Sequence, residues 1–345
     1  MGDYEEHWEY KVSVALWKYL SPCLMVVGLV GNVLAIIVLS RPSMKQTTTS
    51  LYLRFLAAFD SLVLYTGLMR QWFMHLLDYD IREHNSVACK IHTWVVYWAT
   101  YTSAWLLVSV TLERCVSVWF PHKVKLIFTK RKTYIIIVTV IVFMAGLSAH
   151  YLFGRGFNIE TEDNETIVDL CDNISENYNY FELEIWPWID YSIYSVIPSS
   201  ILAVCNISII YRVVSSSRHG LQNENENTIQ NRSVSSRKSQ ASSLTAMLLI
   251  TSTTYVICTT PFCIYVIFTN IFRQDLSVEV DELVWASVNM IQYINNCVNF
   301  ILYCASGRRF RDELRNLCCL TINDFHLKGN FRKKINPDFS FFKYF

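Results

Sequence analysis

Charged side chains withdraw from the chain in seven stretches. The apolar runs lie at about 14–39, 51–77, 87–120, 134–153, 186–214, 244–271 and 283–304, each bounded by polar or charged clusters. As helices rising about 1.5 Å per residue, all are long enough to approach or exceed the roughly 30 Å of a bilayer's hydrocarbon. The fourth, YIIIVTVIVFMAGLSAHYLF, contains no Asp, Glu, Lys or Arg. In the third, no charge falls between Val95 and Leu112, and helical rise separates Cys89 from Arg114 by about 37 Å. These two residues are expected on opposite sides of a membrane. The pattern predicts an all-α fold, a seven-transmembrane helix bundle. Past the seventh run, GRRFRDELRNL spaces Phe310, Leu314 and Leu317 along one face and arginines along the other. This predicts a short amphipathic eighth helix over 306–319 lying in the interface, with Cys318 and Cys319 placed for palmitoylation.

Polar segments divide the rest. Residues 1–13 are expected to form an extracellular tail, 14–305 the seven-helix unit and 320–345 a cytoplasmic tail. Residues 215–243, rich in Ser, Asn, Gln and Glu, read as a disordered cytoplasmic connector. No basic segment followed by a short apolar one opens the chain, so the first span is expected to serve as its own insertion signal.

Composition supports a membrane protein: of 345 residues, 52% are hydrophobic and 17% charged, too apolar for two soluble domains. The partner this implies is the lipid bilayer, and nothing points to nucleic acid. Charge between the runs gives the orientation. Lys123, Lys125, Lys130, Arg131 and Lys132 follow the third run with no acid among them, and Arg308, Arg309, Arg311 and Arg315 follow the seventh. Those loops are expected inside the cell. The alternate loops carry Asp78, Asp80 and Glu83, then Glu160, Glu162 and Asp163, then Asp275, Glu279 and Asp281. They are expected outside, with the N-terminus, in a multi-pass protein of the plasma membrane. Two glycosylation sequons, at Asn164 and Asn173, fall in an outer loop.

Of eleven cysteines, only Cys89 and Cys171 face outward on this topology, and an exoplasmic pair is expected to form a disulfide. Asp60, inside the second run, must turn into the bundle and be compensated. Asn32, Ser103, Asn295 and Asn299 are its partners by depth, and two readings stay open, an ion or proton site and a structural polar network. Ser148 and His150 in Gly146-Leu147-Ser148-Ala149-His150 are poorly placed as nucleophile and base. No phosphate-binding loop or zinc motif occurs, so no enzyme is expected. The absence of an internal repeat argues against a transporter, which stays, with a scramblase, as the alternative of another class.

Several of these residues, taken in order, resemble the rhodopsin-like (class A) G protein-coupled receptors over residues 14–319. They are Gly31-Asn32, Leu56-Ala57-Ala58-Phe59-Asp60, Cys89 with Cys171, Glu113-Arg114-Cys115, Pro198, Cys258-Thr259-Thr260-Pro261 and Asn299-Phe300-Ile301-Leu302-Tyr303. The chain departs from the family in lacking a Trp in span four and in having Thr259 at the usual toggle Trp. It also has Asn206 for a Tyr and Phe300 for the Pro of the last motif. NFILYC with Asn206 resembles a neuropeptide-receptor branch that includes FMRFamide-like receptors.

The resemblance implies coupling to a heterotrimeric G protein, with arrestin and a receptor kinase as further partners. Glu113, Arg114, Asn206, Asn299 and Tyr303 would form the switch, with Arg114 held by Glu113 until helix six swings outward. Asp60, Ser103, Asn295 and Asn299 would form a sodium pocket, the one ion expected, with no other cofactor or metal. Val96 stands where amine receptors carry Asp, and Tyr293 where opsins carry the retinal Lys, so neither ligand class is expected. The ligand site would comprise Arg70, Gln71, His92, Val96, Tyr97, Tyr101, Asp190, Tyr194, Phe262, Trp285, Asn289, Gln292 and Tyr293. Arg70 and Asp190 would need partners, each other or a ligand. The expected ligand is a short, basic, amidated peptide, and the alternative a small metabolite or odorant.

Overall fold

A computed structural model describes residues 7–121, 123–162, 165–222, 231–272 and 276–319. Long helices dominate: α1 (Trp8–Leu39), α2 (Thr48–Leu77), α3 (Ser86–Trp119), α4 (Lys130–Gly154), α5 (Glu176–Gln222), α6 (Asn231–Phe272) and α7 (Val278–Ser306). A further helix, α8, covers 308–319. Among the described residues, six helices are long and apolar enough to cross a membrane: α1 to α5 and the Thr245–Thr269 part of α6. The 29-residue α7 is not among them, because polar residues crowd the face it turns inward, where Asn289, Asn295, Asn296 and Asn299 are all buried.

Helices α2 to α5 each start where a side chain satisfies a free amide of the first turn. The Thr47 hydroxyl accepts from the Ser50 amide at the head of α2, and the Asn85 side chain from the Ala88 amide at the head of α3. Bulk apolar residues then face lipid, including Val26, Val30 and Ile37 of α1 and Val138, Val142 and Phe143 of α4, all exposed. The inward faces form one continuous core through Trp17, Tyr52, Leu106, Tyr255 and Tyr303. At Gly31, an added Cβ would lie 3.1 Å from the Phe300 Cβ, and its absence lets α1 approach α7 closely.

For two of the prolines in the spans, Pro22 and Pro198, the lost hydrogen bond is recovered between helices. Pro22, Pro187 and Pro198 each follow a wide π-type turn, at Leu16–Leu20, Phe181–Ile185 and Ser192–Val196. A proline leaves the carbonyl four residues before it without its usual donor. For Pro22 that carbonyl belongs to Lys18, and the Trp72 indole of α2 donates to it at 3.1 Å. For Pro198 it belongs to Tyr194, and the Tyr255 hydroxyl of α6 donates to it. Span four has no Trp, but α3 supplies two indoles to it: Trp94 donates to the Ala145 carbonyl at 2.9 Å and Trp98 to that of Ile141 at 3.0 Å.

Several boundaries differ from those read in the sequence. The expected tail 1–13 is already helical from Trp8. The connector expected to be disordered over 215–243 is largely backbone helix, since α5 continues to Gln222 and α6 begins at Asn231. Extending an existing helix needs no new nucleus, so polar composition there does not end it. Residues 223–230 and the whole expected tail 320–345 lie outside the described residues. Unforeseen is an antiparallel hairpin between α4 and α5, β1 (Arg155–Glu162) and β2 (Glu165–Asn173), with Arg155 opposite Asn173. Cys171 of β2 is joined to Cys89 of α3, with Cα atoms 5.4 Å apart, as the two outward cysteines predict.

Candidate functional site

At one end of the bundle, α3 ends its apolar span with Glu113 and Arg114. Glu113 is 2% exposed, and one carboxylate oxygen accepts from the Thr48 hydroxyl of α2. No ion pair joins Glu113 to Arg114 among the described residues, contrary to the expected clasp; the buried Arg114 Nε has no partner. Neighbours on one helix turn point their side chains about 100° apart, and Thr48 takes the acid away from its adjacent base. The Asn206 side-chain Oδ1 of α5 accepts from the Ser252 hydroxyl of α6 at 2.9 Å. Tyr303 is fully buried against Phe310 of α8, its hydroxyl unpartnered.

Midway through the bundle, Asp60 is fully buried. Its Oδ1 accepts from Ser103 Oγ at 2.5 Å and from Asn296 Nδ2 at 2.8 Å, and its Oδ2 from Asn299 Nδ2 at 2.7 Å. The amide that reaches the carboxylate is therefore Asn296 rather than the expected Asn295, which is buried nearby. Asn32 donates instead to the Asn296 carbonyl at 3.2 Å. Two buried amide oxygens, Asn32 Oδ1 and Asn299 Oδ1, lack partners. The carboxylate, the Ser103 hydroxyl and the Asn299 side-chain oxygen are all oxygen donors, the type a hard cation such as sodium would take.

Toward the Cys89 end, Asp190 of α5 accepts from the Tyr101 hydroxyl of α3 at 2.6 Å. Around it, Tyr97 lies 5.9 Å from Tyr101 and stacks on Tyr151 at 4.4 Å. His92 contacts the Thr66 carbonyl at 3.1 Å, while its other ring nitrogen is buried and unpartnered. Tyr293 packs so close to α2 that a Cβ at Gly67 would come within 2.7 Å of its hydroxyl; it is within electrostatic reach of Arg70 and Tyr97. Gln292 leaves its buried side-chain oxygen unpartnered. Phe262 and Trp285 meet at 5.9 Å, but Asn289 turns back to the Trp285 carbonyl of its own helix at 2.8 Å. Gln71 and Val96 are half-buried, and Tyr194 is buried.

Arg70 does not meet Asp190. It grips Asp80, in the connection between α2 and α3, at 2.9 and 2.6 Å, and Arg82 closes on the same carboxylate at 2.8 Å. Burial alone would raise the Asp80 carboxyl, but the bonds from Arg70 and Arg82 prevail and hold it well below the ordinary range. Arg155 of the hairpin is in turn held by Glu182, which outweighs burial and keeps its guanidinium charged. Sequence reasoning missed Asp80, Tyr151, Thr48 and Asn296. Only the acid so close to two arginines, Arg70 and Arg82, offered a signal.

Of the two sequons, Asn164 lies outside the described residues. Asn173 is 6% exposed and its amide donates to the Asn179 side chain at 2.9 Å, a bond that a glycan on that nitrogen would displace. Cys318 and Cys319 are exposed at the end of α8.

The family model of the 7 transmembrane receptor (rhodopsin family) matches residues 31–303. The chain belongs to the rhodopsin family of seven-transmembrane receptors. It is thus a multi-pass membrane protein, a class A G protein-coupled receptor and not an enzyme. The receptor is 25% identical over 332 residues to the thyrotropin-releasing hormone receptor of Mus musculus, covering 89% of this chain and 81% of the relative. Against that receptor of Homo sapiens it is 25% identical over 310 residues, covering 84% and 75%. It is also 25% identical over 303 residues to neuromedin-U receptor 2 of Mus musculus, covering 85% of this chain and 73% of the relative.

Proposed function

We propose that this receptor sits in the plasma membrane with its N-terminus outside, binds a short basic peptide with an amidated end, and activates a heterotrimeric G protein. The observation that carries the ligand reading is Asp190, a carboxylate in the bundle whose one donor among the described residues is the Tyr101 hydroxyl. Because Arg70 is committed to Asp80, Asp190 keeps its capacity for an incoming guanidinium, which binds a carboxylate through paired hydrogen bonds. Tyr97, partly exposed and backed by the fully buried Tyr101 and Tyr151, supplies flat apolar surface for the rest of a peptide. Similarity to receptors named for thyrotropin-releasing hormone and neuromedin-U supports the same class.

On the opposite side, the Glu113 to Thr48 bond keeps α3 against α2, and the Asn206 to Ser252 bond keeps α5 against α6. Outward movement of the inner half of α6 breaks the second and opens the end where Arg114 lies, for a G protein α-subunit and afterwards for a receptor kinase and arrestin. Asp60, Ser103 and Asn299 would hold a sodium ion, whose charge would balance the buried carboxylate.

The test is a screen of amidated peptides against cells expressing the receptor, repeated with Asp190→Asn. An Arg-containing agonist should lose potency about 100-fold, the order of a lost charge-assisted pair of hydrogen bonds, while an agonist without a cation should change little. Equal potency of the Arg-containing peptide on both receptors would contradict the reading.

A further inference from the structure

Two free thiols meet across the half of the bundle that ends at Arg114. On α3, Cys115 directly follows Arg114, and its Sγ donates to the Ser208 hydroxyl of α5 at 3.8 Å. On α5, Cys205 stands three positions before Ser208 and directly before Asn206. Cys205 and Ser208 are therefore neighbours on one helix face. The Cys205 thiol lies within hydrogen-bonding reach of the Cys115 thiol. One turn further along α3, the Trp119 indole donates to the same Ser208 hydroxyl at 2.7 Å. Donors from two turns of α3 thus converge on one residue of α5, which holds the helices in register where the thiols face each other.

The two environments differ. Cys205 is buried and Cys115 only half-buried. An accessible thiol next to a buried one is the arrangement in which the first is oxidised and the second resolves it. In the orientation proposed above this end faces the cytosol, where protein disulfides are transient and serve catalysis or redox sensing. The residues beside the pair are those of the inner end: Arg114 precedes Cys115, and Asn206, which holds Ser252 of α6, follows Cys205.

We infer that Cys115 and Cys205 form a redox-responsive dithiol, closed by hydrogen peroxide to a disulfide that ties α3 to α5 beside Arg114. The Cys115 thiolate attacks one peroxide oxygen, the O–O bond breaks, and hydroxide leaves with the electron pair and takes up the Cys115 proton, giving a sulfenic acid and water. The Cys205 sulfur then attacks the Cys115 sulfur. The S–O bond breaks, and the hydroxyl leaves as water with the Cys205 proton. Two thiols and one peroxide become one disulfide and two waters; the sulfurs together lose two electrons and the peroxide gains them. Exchange with glutathione reopens the bridge. A disulfide needs its sulfurs about 2.05 Å apart, closer than thiols in hydrogen-bonding contact, so closure draws the inner halves of α3 and α5 together and narrows the end beside Arg114. This effect on signalling rests on the function proposed above, whereas formation of the bridge does not.

The experiment treats the full receptor, reconstituted in phosphatidylcholine vesicles, with hydrogen peroxide and digests it without reduction. Mass spectrometry should find the Cys115 peptide joined to the Cys205 peptide, two hydrogens lighter than the free pair, and glutathione should separate them. The link should be lost in Cys115→Ser and in Cys205→Ser and kept in Cys23→Ser, at an exposed position of α1. In guanine-nucleotide exchange on heterotrimeric G proteins, peroxide should lower the ligand-independent rate of the Glu113→Gln receptor several-fold, and glutathione should restore it. Adding Cys115→Ser should make that rate insensitive to both. This variant keeps the Cys89 to Cys171 bridge, so an action of glutathione there would show in it as well. The wild-type digest does not depend on any variant folding. No joined peptide after peroxide, or a sulfinic or sulfonic acid at Cys115 in its place, would overturn the assignment. A bridge that forms and leaves exchange unchanged would overturn its role in signalling. Exchange absent before peroxide would count against the proposed function, while the digest would still decide the bridge.

Discussion

Two arginines from different elements close on the single carboxylate of Asp80, and this cluster governs how the outer end of α2 is tied to the loop that leads into α3. Arg70 contributes a bidentate grip and Arg82 both its side chain and its backbone amide. Removing the shared anion leaves two half-buried guanidinia facing each other, so Asp80→Asn should destabilise the receptor by about 2–3 kcal/mol at pH 7. The pH dependence follows from the depressed carboxyl. Its stabilisation is complete above the unfolded value of about 3.9 and is lost as pH falls through the lower folded value. Thermal unfolding of both proteins should therefore show a gap that is constant from pH 7 to 5 and narrows below about pH 4. A gap independent of pH throughout would contradict this account of the cluster.

Single residues also mark where sequence reading stops. The depth of Asp60 in an apolar run predicted a polar cluster around it, and Ser103 and Asn299 are there. Depth cannot separate the adjacent Asn295 and Asn296, because neighbours on a helix point about 100° apart and only the rotation of α7 selects one. For Arg70 the sequence suggested Asp190 or a ligand, but the chain's turn at Asp78, in a left-handed conformation with φ of 49°, brings Asp80 back over it.

Among the elements, the spans were legible because lipid imposes one requirement along their whole length. Seven long apolar runs poor in charge fit that requirement, and they map onto α1 to α7. The ends were not legible, since at the interface water satisfies the backbone equally well in a helix or out of one, and the helices run past the last apolar residue. The hairpin was missed for a related reason: its strands lie outside the apolar runs, in a segment whose acidic composition reads as solvated loop. The links between spans are also invisible to periodicity. A proline-freed carbonyl at Lys18 and an indole at Trp72 are 54 positions apart. Trp72→Phe, which keeps the ring and removes the donor, should lower stability by about 1–2 kcal/mol. Trp188→Phe on the exposed face of α5 should leave it within about 0.5 kcal/mol. Equal melting temperatures for wild type and Trp72→Phe would show that the carbonyl finds another donor.

At the scale of the whole molecule, the receptor has three polar levels stacked along one bundle. The level fastened by the Cys89 to Cys171 bridge and the Asp80 cluster contains Asp190, the residue proposed above to meet the ligand. The middle level is the Asp60 network that joins α2, α3 and α7. The inner level is the end of α3 at Glu113 and Arg114, where Thr48 restrains the acid. Signalling is the statement that these levels are coupled, so that changing the inner one alone should alter output without any ligand.

The most direct measurement is guanine-nucleotide exchange on purified heterotrimeric G proteins, one from each α-subunit class, by the receptor reconstituted in lipid. Glu113→Gln should raise ligand-independent exchange several-fold on at least one class, Thr48→Ala should do so to a lesser degree, and adding Arg114→Ala to either should return it to the rate of empty vesicles. Exchange no faster than empty vesicles for every variant and every class would contradict the account.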